Sequence, residues 1–217
     1  MEGVIKYTIE HSAAPPLPAS DLAALNAWRK ILNQLALIGQ DPARYDGVGF
    51  GNISCRIEPW EAAPAARPFA ITGTQTGHLA DLTPEHFTVV TACHPERNTI
   101  VSAGPIYPSS EALTHGTLYA LDPQIHWVMH AHAPHIWRHA AALGLPQTRQ
   151  AVLYGTPEMA AEVARLFVES DVAARRIFSM AGHEDGIVTF GASAEEAGAV
   201  LVDALAAAYA LEQIARG

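Results

Sequence analysis

The chain has 217 residues, 49% of them hydrophobic, and a formal net charge of −9 at pH 7. This length and apolar content predict one large domain with a full core, and the absence of any Lys/Arg cluster excludes a nucleic-acid surface. Neither an apolar signal core near the N-terminus nor a run of eighteen apolar residues occurs, so we expect a cytoplasmic protein without a membrane partner.

The first half of the chain alternates glycine-rich turns with short apolar segments. Residues 1–19 hold three closely spaced prolines and are predicted to be irregular. Ser20 is a candidate N-cap for a helix that ends at Gly39. Strands are predicted over 52–57, 69–72 and 87–91, with a loop over 58–67 and a Gly/Pro-rich stretch up to Pro108.

The two cysteines fit no zinc or redox spacing and are expected to be reduced and buried.

The second half mixes helices and strands. Helices are predicted over 109–121 and 134–142, from Thr156-Pro157 onward, and from the capping box Ser193-x-x-Glu196 nearly to Gly217. Strands are predicted over 125–132, 149–154, 177–181 and 186–190, the last two as a hairpin or two short strands. This mixture predicts an α/β protein in layers with partly antiparallel pairing, and residues 20–217 are interpreted as a single domain.

The strand predicted over 125–132 carries the most informative motif, His130-Ala-His132. Side chains two residues apart on a strand point to one face of the sheet, so both imidazoles can reach one ion. His126 shares this face but lies roughly 13 Å away at the rise of a strand, which is too far for the same ion. By itself, the pair is equally consistent with two histidines that bind no metal.

A catalytic zinc site needs at least three protein ligands, and eleven histidines offer several candidates for the third. His183 is flanked by Gly182 and Gly186, which allow a tight turn to present its ring. His115 lies one helical turn from Glu111 and His135 follows the strand. From the residues alone, the choice among these histidines stays open.

The run Pro108-Ser-Ser-Glu111 stands where a helix is predicted to begin. An ordinary N-cap with an acidic first turn explains it without any further function. Alternatively, Ser109, Ser110 and the free N–H groups of the helix N-terminus hold an anionic group. Glu111 would then lie near the ion, either ligating it or taking a proton from a carbon beside a carbonyl.

Two turns offer further donors for an anionic group. Asn52 lies in the first turn, and Thr74, Thr76 and Gly77 lie in the second. The same residue types are also what tight turns use for purely structural reasons. Apart from Arg56 these loops hold no lysine or arginine, so a phosphate would be bound by dipoles and hydroxyl groups, or the substrate carries a carboxylate or no charge.

Together these segments resemble the class II aldolase/adducin family, whose enzymes include the fuculose- and ribulose-phosphate aldolase and epimerase group. The motifs stand in family order: Gly51-Asn-Ile-Ser-Cys-Arg56, Ile71-Thr-Gly-Thr-Gln-Thr-Gly77, Leu82-Thr-Pro-Glu85, Pro108-Ser-Ser-Glu111 with His115, Val128-Met-His-Ala-His132 and Gly182-His183. The family's Ile-Thr-Pro-Ser/Thr-Gly turn is longer here and lacks the proline.

The resemblance implies a three-layer α/β/α fold with a largely antiparallel central sheet. It also implies one divalent ion per subunit, usually zinc, with manganese, iron, cobalt or magnesium as alternatives. The implied metal ligands are His130, His132, His183 and Glu111. Glu111 would also be the catalytic acid/base. The implied substrate-binding residues are Asn52, Thr76, Gly77, Ser109 and Ser110.

The implied reaction is aldol cleavage of a small sugar phosphate or hydroxy-carbonyl compound through a metal-stabilised enediolate. Dehydratase, epimerase or decarboxylase chemistry at the same site remains an alternative, as does an adducin-like assembly module without catalysis. Family enzymes are typically tetramers. The final helix, 193–216, has small residues all round, which agrees with an interface helix, although alanine also serves helix propensity alone.

Overall fold

The computed structural model describes residues 3–216, and helices cover both faces of its eight-stranded sheet. The strands are β1 (Thr8–Ala13), β2 (Asn52–Arg56), β3 (Phe69–Thr72), β4 (Phe87–His94), β5 (Thr99–Gly104), β6 (Trp127–His132), β7 (Ile177–Ser179) and β8 (Gly186–Gly191). The α-helices are α1 (Ala19–Gln34), α2 (Ala112–Leu121), α3 (Pro134–Arg138), α4 (Pro157–Glu169), α5 (Val172–Arg175) and α6 (Ala194–Arg216).

The strand order is β1-β5-β4-β3-β2-β6-β8-β7. Only β1 and β5 pair in parallel, and the other neighbouring strands of the described sheet pair antiparallel. The expectation of a largely antiparallel sheet is therefore confirmed. Strand β6 lies between β2 and β8, so the motif at its C-terminal end is surrounded by sheet on both sides.

Two hydrophobic cores lie on opposite faces of the sheet. Leu201 of α6 shares one core with Met129, while Leu113 of α2 and Val163 of α4 share the other with Val128. Neighbouring residues of β6 thus enter different cores because side chains alternate across a strand. The three-layer α/β/α arrangement is confirmed, and α2 lies on the face that also receives the paired histidines.

Several predicted elements are found where the sequence places them. Strand β3 has the predicted bounds, and β2 ends one residue earlier than predicted. Strands β7 and β8 pair antiparallel, so of the two predicted alternatives the structure has the hairpin. Helix α4 begins at Pro157, and the Thr156 hydroxyl accepts a hydrogen bond from the Met159 N–H at 3.3 Å.

The prediction that residues 1–19 are irregular is wrong for Thr8–Ala13, which forms β1. Its partner β5 lies within the stretch predicted to be loop up to Pro108, so both strands of this pair were missed. Their pairing joins residues about ninety positions apart, for example Thr8 with Thr99, and no local pattern records such a contact.

The structure also corrects one predicted strand and the start of one predicted helix. Residues 149–154 form turns instead of a strand, and the Val152 N–H donates to the Arg149 carbonyl at 3.1 Å. Helix α2 begins at Ala112 with Glu111 as its N-cap residue, three positions later than predicted. Ser109 and Ser110 consequently lie in the turn before the helix instead of in its first turn.

Helix α6 is long and apolar enough to span a membrane by length and composition, with a mean hydropathy of 1.4 over Ala194–Ile214. One such helix is weak evidence for a span, and this helix also packs against β6, β8 and α1 of the same chain. Only 28% of the window is buried, so much of its apolar surface faces away from this chain.

Both cysteines, Cys55 and Cys93, are free and buried, as expected. Burial raises the pKa of each thiol to about 12. Because the thiolate is the reactive form, we expect iodoacetamide to alkylate both residues about 100-fold more slowly than free cysteine near neutral pH. Mass spectrometry with and without guanidinium chloride measures this, and rapid labelling of either thiol in the native protein would contradict it.

Candidate metal centre and substrate pocket

Three histidines meet at the C-terminal end of β6. His130 and His132 lie on β6, and His183 lies in the turn between β7 and β8. One ligand atom from each ring lies within 4.8 Å of the other two, and all three side chains are buried. The pairing of His132 with Gly186 brings this turn beside the histidine pair. The structure therefore brings together the three residues that the resemblance implied as ligands.

The glycine that precedes His183 is required by a close backbone approach. A Cβ on Gly182 would lie 2.2 Å from the Val152 carbonyl oxygen, closer than any real Cβ contact. The Gly186 N–H donates to the His183 carbonyl at 2.9 Å, which closes the turn. The sequence signal of a glycine-flanked histidine thus has a steric cause, and this geometry aims the ring at β6.

Glu111 lies beside the histidines at the start of α2. Its Oε1 is 3.4 Å from Nδ1 of His183, and its Oε2 accepts a hydrogen bond from the Thr114 hydroxyl at 2.9 Å. Burial by itself would raise the pKa of this carboxyl, but the contact with His183 and the charge on His130 lower it to about 2. Glu111 is therefore a carboxylate at neutral pH despite being only 1% exposed.

His132 is in the state that a metal ligand needs. Burial lowers the pKa of this imidazole well below its ordinary value. A neutral imidazole has a free lone pair, so it can ligate. Three imidazoles and one carboxylate in a buried pocket are a donor set that suits a divalent transition metal.

The five implied substrate-binding residues line one small pocket. They are Asn52, Thr76, Gly77, Ser109 and Ser110. Among the described residues, its lining includes no charged side chain. A Cβ on Gly77 would lie 2.4 Å from the carbonyl oxygen of Gly39, so only glycine fits at this position. Glycines and residues with hydroxyl or amide side chains thus line the pocket.

Asn52 connects the pocket to the histidines. It pairs with His130 in the register of β2 and β6, so the two residues lie side by side on neighbouring strands. Its Oδ1 is buried and has no hydrogen-bond partner within the described part of the chain. A buried amide oxygen without a partner is costly, and a bound ligand with a donor group would satisfy it.

His115, which the sequence offered as a third ligand, has a different partner. Its Nδ1 lies 2.7 Å from the Ser54 hydroxyl, which in turn lies 2.7 Å from the Tyr119 hydroxyl. Burial, followed by the charge on His130, lowers the pKa of His115 to about 3. It is therefore a neutral residue behind the metal centre and does not belong to the three-histidine group.

His126 and His135 lie outside the group as well. The His126 ring lies 5.1 Å from that of Trp60, and Nδ1 of His135 lies 2.6 Å from the carboxylate of Glu212 on α6. The prediction that His126 cannot reach the same ion is consistent with this position. His135 does not line the cavity that contains His183.

Two aromatic residues beside the centre were not assigned from the sequence. The Tyr154 ring lies 4.4 Å from that of His183, and the Tyr45 ring lies 4.7 Å from that of His132. The Arg44 guanidinium donates to the His132 carbonyl at 3.2 Å. Tyr154 was one of two tyrosines after the histidine pair, but no local pattern distinguished it from the other.

The domain has three α/β/α layers, and its largely antiparallel sheet brings three histidines close to a glutamate. This combination is of the class II aldolase type. The chain belongs to the class II aldolase and adducin N-terminal domain family, whose model matches residues 41–216. No curated protein matches the chain significantly.

Solved structures of the same fold confirm the architecture. L-fuculose-1-phosphate aldolase from Thermus thermophilus is 21% identical with a TM-score of 0.63, covering 90% of this chain and 94% of that one. Sugar-phosphate aldolase from Thermotoga maritima is 14% identical with a TM-score of 0.67, covering 91% and 95%. L-fuculose 1-phosphate aldolase from Glaciozyma antarctica is 16% identical with a TM-score of 0.56, covering 90% and 73%.

Proposed function

We propose that this protein is a metal-dependent carbon–carbon lyase that performs aldol cleavage of a small sugar phosphate or related hydroxy-carbonyl compound. One observation carries the proposal: Glu111 and the three buried histidines converge near a pocket lined by glycines and by residues with hydroxyl or amide side chains. An assembly module without catalysis would have no use for a buried carboxylate beside three buried imidazoles.

His130, His132 and His183 would hold the ion, and Glu111 would be able to join them. The imidazole-rich donor set favours zinc, with manganese, iron, cobalt and magnesium as alternatives. When bound, the ion would supply Lewis acidity that polarises a substrate oxygen.

Glu111 would move the proton between a substrate carbon and its own carboxylate. Its lowered pKa keeps it ionised, so it is ready to accept a proton at neutral pH. Asn52, Thr76, Gly77, Ser109 and Ser110 would bind the anionic or hydroxyl-bearing end of the substrate. Burial of the centre excludes bulk water, which would otherwise quench a carbanion-like species.

A substrate panel tests the proposal. The metal-loaded protein is assayed with short sugar phosphates, hydroxy acids and their aldehydes in the presence of zinc or manganese. L-fuculose 1-phosphate comes first, because three similar structures carry its name. We expect an aldehyde and a phosphorylated ketone as products, detected by NMR. Epimer, dehydrated product or carbon dioxide would identify one of the alternative reactions, and no turnover with any compound would contradict the lyase.

We also propose a homo-oligomer in the cytoplasm, most simply a tetramer, with α6 in an interface. Val202 and Tyr209 on α6 are 38% and 46% exposed in the single chain. Light scattering should give about four times the 23.1 kDa chain mass. Val202→Glu should lower the measured mass, while Val168→Glu on α4 serves as the control. A wild-type mass near one chain would contradict the oligomer.

A further inference from the structure

The segment Gly3–Tyr7, which precedes β1 and is called the strap here, contacts two of the segments that line the substrate pocket. Gly3 lines that pocket, and its carbonyl accepts a hydrogen bond from the Gln75 side chain at 3.4 Å. At the other end, the buried Tyr7 hydroxyl donates to the Ser109 carbonyl at 2.6 Å. The strap therefore runs along the wall of the pocket, although it lies outside the residues matched by the family model.

The middle of the strap lies on Tyr154. The Val4 N–H donates to the Tyr154 hydroxyl at 3.2 Å. The Lys6 ammonium lies 3.1 Å from the centroid of the Tyr154 ring and donates to the Tyr154 carbonyl at 3.3 Å. Because Tyr154 itself lies against His183, the strap contacts a candidate metal ligand through one side chain.

The strap also borders a second cavity. This outer cavity, of about 360 Å³, is lined by Lys6, Tyr154 and His183 among others. His183 is nevertheless only 4% exposed, and His130 and His132 are 1% and 0% exposed. Tyr154, on which the strap lies, is one of the groups that cover the His183 ring.

Side-chain contacts hold the strap in place: besides those to Tyr154, the Asn98 side chain donates to the Lys6 carbonyl at 3.0 Å, and Tyr7 is buried in the core. Within the described chain, residues 3–7 make no backbone-to-backbone hydrogen bond, and the first one is donated by Thr8 to Asn98. From Thr8 onward β1 is held by its ladder with β5. The strap can therefore leave the wall while the sheet that anchors it stays intact.

We propose that the strap is a closing element of the active site and that Lys6, through the face of Tyr154, is the positioning residue that holds it shut. Opening exposes more of His183 and extends the outer cavity toward His130 and His132, and closing excludes water from them. This proposal concerns the same site as the proposed function. It rests on that function only for the identity of the molecule that enters the site.

Chemical access to His183 tests the strap without any assumption about substrate. Diethyl pyrocarbonate acylates neutral imidazoles, and peptide mass spectrometry gives a rate for each histidine. Chelator-treated full-length protein is compared with a chain starting at Tyr7 and with Lys6→Met and Lys6→Arg. Lys30→Met, which removes an exposed lysine paired with Asp81, is the matched control. The labelling rate of His86 normalises each sample, and the thermal midpoint checks folding.

We expect the shortened chain to label His183 about tenfold faster than wild type, and Lys6→Met about fivefold faster. Lys6→Arg keeps the cation, so its labelling rate should stay within about twofold of wild type, as should that of Lys30→Met.

Equal labelling rates for wild type and the shortened chain, at an unchanged thermal midpoint, overturn the proposal. If the shortened chain does not fold, equal rates for Lys6→Met and Lys6→Arg overturn it instead. A wild-type protein that binds no metal would contradict the proposed function and leave this comparison intact.

Discussion

Replacing both His130 and His132 with alanine should lower the bound divalent metal from about one ion per chain to less than about a tenth. The two side chains supply two of the three imidazoles that meet within 4.8 Å. His183 and Glu111 alone leave too few donors, so the loss should be nearly complete. Elemental analysis of the purified proteins measures the metal content directly.

His126→Ala is the matched control for this experiment, because His126 directly precedes the same strand but lies against Trp60. Its metal content should equal that of wild type. Equal, sub-stoichiometric metal in wild type and the double variant would show that the three histidines bind no ion. Circular dichroism of the double variant separates loss of metal from loss of fold.

Glu111→Gln should keep its metal but lower turnover about 10²–10⁴-fold, which is the usual effect of losing a positioned acid/base. Glutamine keeps the size of the side chain and can still accept the Thr114 hydrogen bond. It cannot take up the proton that the carboxylate accepts. Metal content and turnover are measured on the same preparation, with the substrate identified by the panel.

The control for Glu111 is Glu184→Gln, which removes a carboxylate from the wall of the outer cavity next to His183 in the sequence. We expect its turnover to stay within about threefold of wild type, because Glu184 is exposed and lies in no group with the histidines. Unchanged turnover in Glu111→Gln would remove Glu111 from the mechanism.

The sequence predicted those parts of the site that depend on local geometry. The alternation of side chains along β6 places His130 and His132 on one face, whatever surrounds the strand. The glycines beside His183 and in the turn ending at Gly77 also indicated turns, although the close approaches that require Gly182 and Gly77 come from distant segments. The motif order then supported the family, which the match over residues 41–216 confirms.

The sequence did not predict contacts between distant segments. Lys6 and Tyr154 are 148 residues apart, yet the ammonium lies on the ring. Strands β1 and β5 have weak local patterns, and their pairing was missed. Strand propensity depends strongly on the neighbouring strand, so these elements could not be assigned before their partners were known.

By itself, then, the sequence determined the residue types of the site, the shared face of the histidine pair and the family. The tertiary structure decided which histidine completes the group, because only the β6–β8 register places His183, and not His115, beside His130 and His132. It also decided that Glu111 is an ionised carboxylate, since the charges and contacts that lower its pKa come from other elements. The periodicity of the sequence indicates the direction in which a side chain points from its own strand or helix. The distances between side chains on different elements, which form a site, depend on the tertiary structure.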